Sequence, residues 1–174
     1  LAADVGQGNA VLVRTASHAL LYDAGPRYSL ESDAGHRVLV PLLKALDTRL
    51  DRVVLSHRDT DHVGGAAAVL AMQPQADLWS SLEAAHPLLA MRSGQRCEAG
   101  QHWEWDGVQF AVLHPRAEDY AGSARPNALS CVLRISNGRQ TALLVGYIEQ
   151  AQEDRLVADA TILKADLLLI PHHG

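Results

Sequence analysis

The sequence has 174 residues, 48% of them hydrophobic and only 5% aromatic, with a formal net charge of −5. That is enough chain for one domain with an aliphatic core of strands and helices, and too little for two comfortable ones. No apolar run reaches the roughly eighteen residues of a membrane span and no charged-then-apolar leader opens the chain, so the segment reads as soluble. The charge also excludes a surface that attracts nucleic acid everywhere, although only two of the fifteen basic residues are Lys, and Arg favours bidentate phosphate contacts.

In chain order, residues 9–14 and 19–23 are short apolar strands separated by a polar turn, a hairpin. Val38, Leu39, Leu42, Leu43 and Leu46 recur at helical spacing, with Pro41 tolerated near the helix start. A short strand at 51–55 ends at Ser56, Gly64 and Gly65 open a helix over 66–72, and 76–80 is the next strand. Strands then dominate, at 102–105, 108–113, 129–135 and 141–145, with Asn137-Gly138 as a hairpin turn. A polar helix over 149–157 and an apolar strand at 166–170 lead to Pro171-His172-His173-Gly174. The pattern predicts one α+β domain over 1–174, with two mixed sheets covered by helices. Both ends read as cut, so the expectation is a fragment of a longer protein with an uncovered apolar flank near Ile170.

His57, Asp59, Asp61 and His62 place four ligand-type side chains in six residues, between a strand and a helix start. Imidazole nitrogen and carboxylate oxygen at that spacing can converge on one or two divalent ions. The alternative is a solvated acidic loop whose Asp caps the helix. A helix opening at Gly64-Gly65 would aim backbone N–H groups at the site, and its glycines would let a phosphate come close. His172 and His173 follow a strand, and adjacent side chains point apart, so only one of the two should bind metal, the alternative being two surface histidines. His18, His36, His86, His102 and His114 stand singly and read as packing or surface residues. Cys97 and Cys131 read as two unrelated thiols rather than a disulfide. The loop Asp4-Val5-Gly6-Gln7-Gly8-Asn9 precedes a strand, so it is neither a Rossmann fingerprint nor a P-loop; its glycines suit close backbone approach.

Taken together, Asp4-Val5-Gly6-Gln7-Gly8, Tyr22-Asp23-Ala24-Gly25, Ser56-His57-Arg58-Asp59-Thr60-Asp61-His62-Val63-Gly64-Gly65 and Pro171-His172-His173-Gly174 form a familiar set. In order and spacing it resembles the metallo-β-lactamase-like C-terminal domain of the ComEC family of DNA-uptake membrane proteins, across nearly the whole chain. The resemblance implies an αββα sandwich, truncated here at the C-terminus. It also implies one or two divalent ions held by His57, Asp59, Asp61, His62 and one of His172 or His173. The superfamily usually has His where Asp59 stands, and the harder oxygen ligand makes Mn as plausible as Zn. Asp23 would support the ligand loop, Asp4 and Gln7 would belong to the substrate loop, and Asn127 with Ser130 would stand where a further His ligand is usual. The family's Gly-Asp-Ile-Glu segment, with its bridging Asp, is here Gly146-Tyr147-Ile148-Glu149.

The function so implied is hydrolysis of DNA during uptake, by a domain on the periplasmic side of an inner-membrane protein. Its partners would be single-stranded DNA, held by backbone contacts, and the transmembrane channel of the same full-length protein. Asp61 would be the catalytic residue, orienting water and taking part in proton transfer, with Arg58 on the phosphate backbone. Scarce aromatics predict little base preference. Two other readings compete: a degenerate domain that binds DNA or plugs the channel, for which Tyr147 speaks, and a hydrolase of a small ester or lactam.

Overall fold

The strands pair into two five-stranded sheets in the computed structural model, which describes residues 1–122, 125–159 and 163–170. Each sheet organises one of two compact units, Leu1–Arg96 and Cys97–Gly174.

In the first unit, β1 (Val11–Arg14) and β2 (Ala19–Tyr22) make the expected antiparallel hairpin, Val11 opposite Tyr22. A second, small hairpin follows, β3 (Arg27–Ser29) and β4 (Ser32–Asp33). Its strands are too short and polar for period-2 patterning to register. Then β5 (Arg52–Leu55), β6 (Asp77–Ser80) and β7 (Gly94–Arg96) join β2 in parallel, in the order β1-β2-β5-β6-β7. Apart from Arg52 and Asp77 at their starts, β2, β5 and β6 are buried throughout, which is why they read as unbroken apolar runs.

A π-helical turn over Gly35–Leu39 runs into α1 (Val40–Ala45), with Pro41 in the first turn of α1. Two more segments, α2 (Thr60–Val63) and α3 (Ala66–Met72), follow β5, and α4 (Pro87–Met91) follows β6. Leu39, Leu43, Val69 and Leu70 pack in one core with Leu12, Leu21, Val53, Leu55 and Leu78. Leu43 is buried there, so truncating it to Ala costs about 2–5 kcal/mol.

One helix start differs from expectation. Helical backbone begins at Thr60 with Asp59 at the N-cap, and Gly64 and Gly65 join α2 to α3. A Cβ on Gly64 would lie 2.1 Å from the Arg27 nitrogen, and one on Gly65 would lie 2.3 Å from the Gly35 nitrogen. The glycines therefore admit neighbouring protein backbone, not a ligand.

In the second unit, β8 (His102–Trp105), β9 (Val108–His114), β10 (Val132–Ser136) and β11 (Thr141–Leu144) form an antiparallel meander, and β12 (Leu167–Leu169) pairs in parallel with β11 at the edge. The Asn137 side chain accepts from the backbone of Arg139 and Gln140, closing the expected turn. Helix α5 (Gln150–Ala158) is capped by reciprocal bonds between Glu149 and Gln152. It buries Leu156 against Val132, Leu143, Val145 and Ile148. On β12 and just after it, Leu167, Leu168 and Ile170 are exposed.

β10 begins at Val132 rather than at 129, because Asn127–Leu129 is a 3-10 turn. Cys131, directly before β10, is bonded to Cys97 with Cα atoms 5.9 Å apart, so the reading of two unrelated thiols is corrected: they form a fully buried disulfide. Among the described residues, no helix is long and apolar enough to cross a membrane.

Candidate metal centre

The C-terminal ends of β2 and β5 lie side by side, with Tyr22 opposite Val54, so the residues that follow each strand emerge together. Asp23 follows β2 and Ser56 follows β5. Asp23 takes the left-handed φ of +59°, a conformation that non-glycine residues seldom hold without compensation. The compensation is a set of buried hydrogen bonds: Asp23 Oδ1 accepts from the Ser56 backbone at 2.7 Å and Oδ2 from the Ser56 hydroxyl at 2.9 Å.

Both ligand-type imidazoles hang on that carboxylate. His62 Nδ1 lies 2.6 Å from Asp23 Oδ2, and His57 Nδ1 lies 2.9 Å from Ser56 Oγ, whose own proton goes to Asp23. Each ring thus carries its proton on Nδ1 and turns the Nε2 lone pair outward. Nε2 of His57 faces the Asp59 carboxylate at 3.5 Å, and Nε2 of His62 faces that of Asp61 at 3.5 Å. The ring centroids are 4.1 Å apart. Asp59 stands at the N-cap of α2 but makes no side-chain cap bond, so helix capping does not account for it.

Burial and the neighbouring His62 push the His57 imidazole down to about 4, keeping it neutral, the state a metal requires. Burial acts the same way on His62, but the Asp23 carboxylate outweighs it and raises that imidazole. Two acceptor pairs of nitrogen facing carboxylate, on a neutral and an Asp-backed imidazole, fit a divalent cation in donor chemistry. The donors stand as pairs: among the described residues, no group of three His, Cys, Asp or Glu encloses an ion. His172 and His173, the expected further ligands, lie outside the described residues.

The glycine loop also has a partner. Asn9 N donates to the Asp61 carbonyl at 3.2 Å, and Gly8, with φ of +145°, lies so near that a Cβ there would stand 2.3 Å from that oxygen. Asp4 braces the loop by accepting from Gly6 N, and Gln7 is exposed on it. On the other flank, Ala24 N donates to the His62 carbonyl at 2.7 Å. Arg58 pairs with Glu83 at 3.3 Å, both half-exposed.

The remaining expected residues belong to the second unit. Ser130 is buried, and its hydroxyl accepts from the buried Tyr147 backbone N–H at 3.0 Å. Asn127 begins the 3-10 turn just before it, and its buried Oδ1 accepts no hydrogen bond from a described residue. His114, read from the sequence as a packing residue, bonds the Ala128 carbonyl at 2.8 Å and so holds that turn. The other single histidines make local contacts: His18 with Asp51, His36 with Asp33, His86 with the start of α4, and His102 with Gly100.

The chain belongs to the metallo-β-lactamase superfamily, whose pattern it matches over residues 3–146. Over 98% of its length it is similar to competence protein ComA of Neisseria gonorrhoeae, at 36% identity and covering 23% of that protein. It is likewise similar to recombination protein 2 of Haemophilus influenzae, at 33% identity and covering 21% of it. The chain thus spans about a fifth to a quarter of these relatives' length. Among solved structures, the MIM-2 metallo-β-lactamase superposes with a TM-score of 0.63 at 18% identity, over 95% of this chain and 70% of that one. A Cronobacter sakazakii metallo-β-lactamase does so at 0.62 and 19%, over 92% and 66%. At such identities they show the fold, which is the α+β architecture expected from the motifs. The likeness to competence proteins runs across nearly the whole chain, as the motifs imply.

Proposed function

We propose that the chain is the metal-dependent phosphodiesterase domain of a DNA-uptake membrane protein, cleaving single-stranded DNA during internalisation. The observation that carries this reading is the Asp23 network, which sets both imidazoles in the tautomer that presents Nε2 beside Asp59 and Asp61. A divalent ion, Zn or Mn, held by His57, Asp59, Asp61 and His62 would supply positive charge that neutralises phosphate oxygens and acidifies water. Asp61, a quarter exposed beside His62, would orient the attacking water and accept its proton on Oδ2. Arg58 would release Glu83 to grip the phosphate backbone. The buried disulfide of the second unit supports an oxidising location, hence the periplasmic side of the inner membrane. The channel part of the same protein would deliver the strand.

A second reading, a degenerate domain that binds DNA without cutting it, draws on Tyr147 in the place of a bridging Asp and on donors that stand in two pairs. A phenol offers one oxygen with an unperturbed pKa near ~10, where a carboxylate offers two ionised ones. Metal per chain by elemental analysis, with turnover on single-stranded DNA, a generic phosphodiester, an ester and a β-lactam, decides among these. Hydrolysis of the DNA with at least one ion per chain supports the first reading. Absent hydrolysis with retained DNA binding supports the second, and activity confined to the ester or lactam overturns both. Tyr147→Asp should hold more metal and show higher Mn-dependent phosphodiesterase activity. Equal occupancy and equal rates would remove Tyr147 from the site.

A further inference from the structure

Composition alone promised no aromatic platform, yet the small β3–β4 hairpin carries an exposed aromatic beside the candidate metal centre. Tyr28 is 42% exposed, and Leu30 at the hairpin tip is 88% exposed. The hairpin is seated on the ligand loop, since Gly64, directly after α2, leaves no room for a Cβ against Pro26 and Arg27. Two bonds stiffen it: Arg27 donates to the carbonyls of Ser29 at 2.9 Å and Leu30 at 2.6 Å. The Tyr28 hydroxyl donates to the Val5 carbonyl at 2.9 Å, tying the ring to the glycine loop that also holds Asp61. The exposed Arg37 guanidinium stands 5.7 Å from the ring centroid.

We infer that Tyr28 and Arg37 form a stacking platform for one base of a single-stranded nucleic acid, and that this platform positions the strand beside the 57–62 loop. The inference rests on the phosphodiesterase reading for the nature of the strand. Every base has a π-face, so a ring held in place can stack it without reading its edge, while an adjacent guanidinium neutralises a phosphate and contributes cation–π attraction. The bond to Val5 removes the ring's rotational freedom beforehand, which lowers the cost of ordering it on binding. An exposed Leu, Tyr and Arg could also suit a lipid surface. However, a tyrosine whose hydroxyl is spent on the protein backbone does not offer its polar tip to headgroups.

The test measures equilibrium binding of a fluorescent single-stranded oligonucleotide to the whole 174-residue chain in chelator, so that hydrolysis plays no part. Tyr28→Ala should weaken binding about 5- to 100-fold, and Tyr28→Phe should retain most of it. Arg37→Gln should lower the dependence on salt by about one phosphate contact. Circular dichroism checks that each variant folds. Binding by Tyr28→Ala equal to wild type, or wild type binding anionic vesicles instead of the oligonucleotide, overturns the platform. Should the platform stand while the metal-loaded chain cuts no phosphodiester, it is the hydrolase reading that falls, so the two failures are told apart.

Discussion

Asp23 Oδ2 lies 2.6 Å from Nδ1 of His62, and both side chains are fully buried. That contact joins a strained residue after β2 to a ligand-type residue on α2, and through Ser56 it reaches His57. Asp23→Asn preserves shape but removes the charge that holds both Nδ1 protons. Metal affinity should fall about 10- to 100-fold, read by calorimetric titration of Zn or Mn. An unchanged affinity would mean that Asp23 serves the fold alone.

Gly8 is a second point where backbone geometry serves the candidate centre. Gly8→Ala forces a Cβ against the Asp61 carbonyl at a φ of +145°, costing about 1–3 kcal/mol in urea unfolding. It should also weaken metal binding, because Asp61 must move. Gly122→Ala, where nothing stands within 4 Å and φ is −109°, should leave both quantities alone. Equal behaviour of the two variants would sink the argument.

The disulfide between Cys97 and Cys131, 34 residues apart, closes a loop whose cross-link stabilises the fold by about 2–4 kcal/mol. A Cys97→Ser, Cys131→Ser double variant should melt lower than wild type, and reductant should lower only the wild type's melting temperature. Non-reducing mass analysis of protein exported to the periplasm should show the bond formed. Free thiols in the folded, exported chain would refute the pairing.

Asp119 gives the second unit an acid limit. Burial raises its carboxyl, but the Arg155 side chain at 2.8 Å and the Arg116 backbone N–H at 2.8 Å outweigh burial and hold it below the ordinary 3.8. A depressed folded value means that the unfolded chain binds the proton more readily. The contribution is therefore fully present above about 3.8 and is lost as pH falls through the lower, folded value. Asp119→Asn should cost about 1–3 kcal/mol at pH 7, and the gap to wild type should shrink below pH 4. A gap that persists into strong acid would rule this out.

Much of the first unit was legible along the chain. The hairpin of β1 and β2, the apolar runs of β5 and β6 and the ligand cluster at 57–62 are local patterns, and periodicity and spacing encode them directly. The glycine loop was legible as a site of close approach but not of what approaches, since the Asp61 carbonyl is 53 residues from Gly8 in sequence. Only pairing β2 beside β5 made Asp23 a neighbour of Ser56, His57 and His62. Composition likewise could not distinguish two thiols from a disulfide, because that depends on the tertiary packing that brings the Cα atoms of residues 97 and 131 to 5.9 Å. The residue types therefore determined which chemistry was available, whereas strand register decided which atoms face one another. Imidazole and carboxylate are ligands by their electronic nature in any fold, but the tautomer each imidazole holds is set by a buried partner that only tertiary structure supplies.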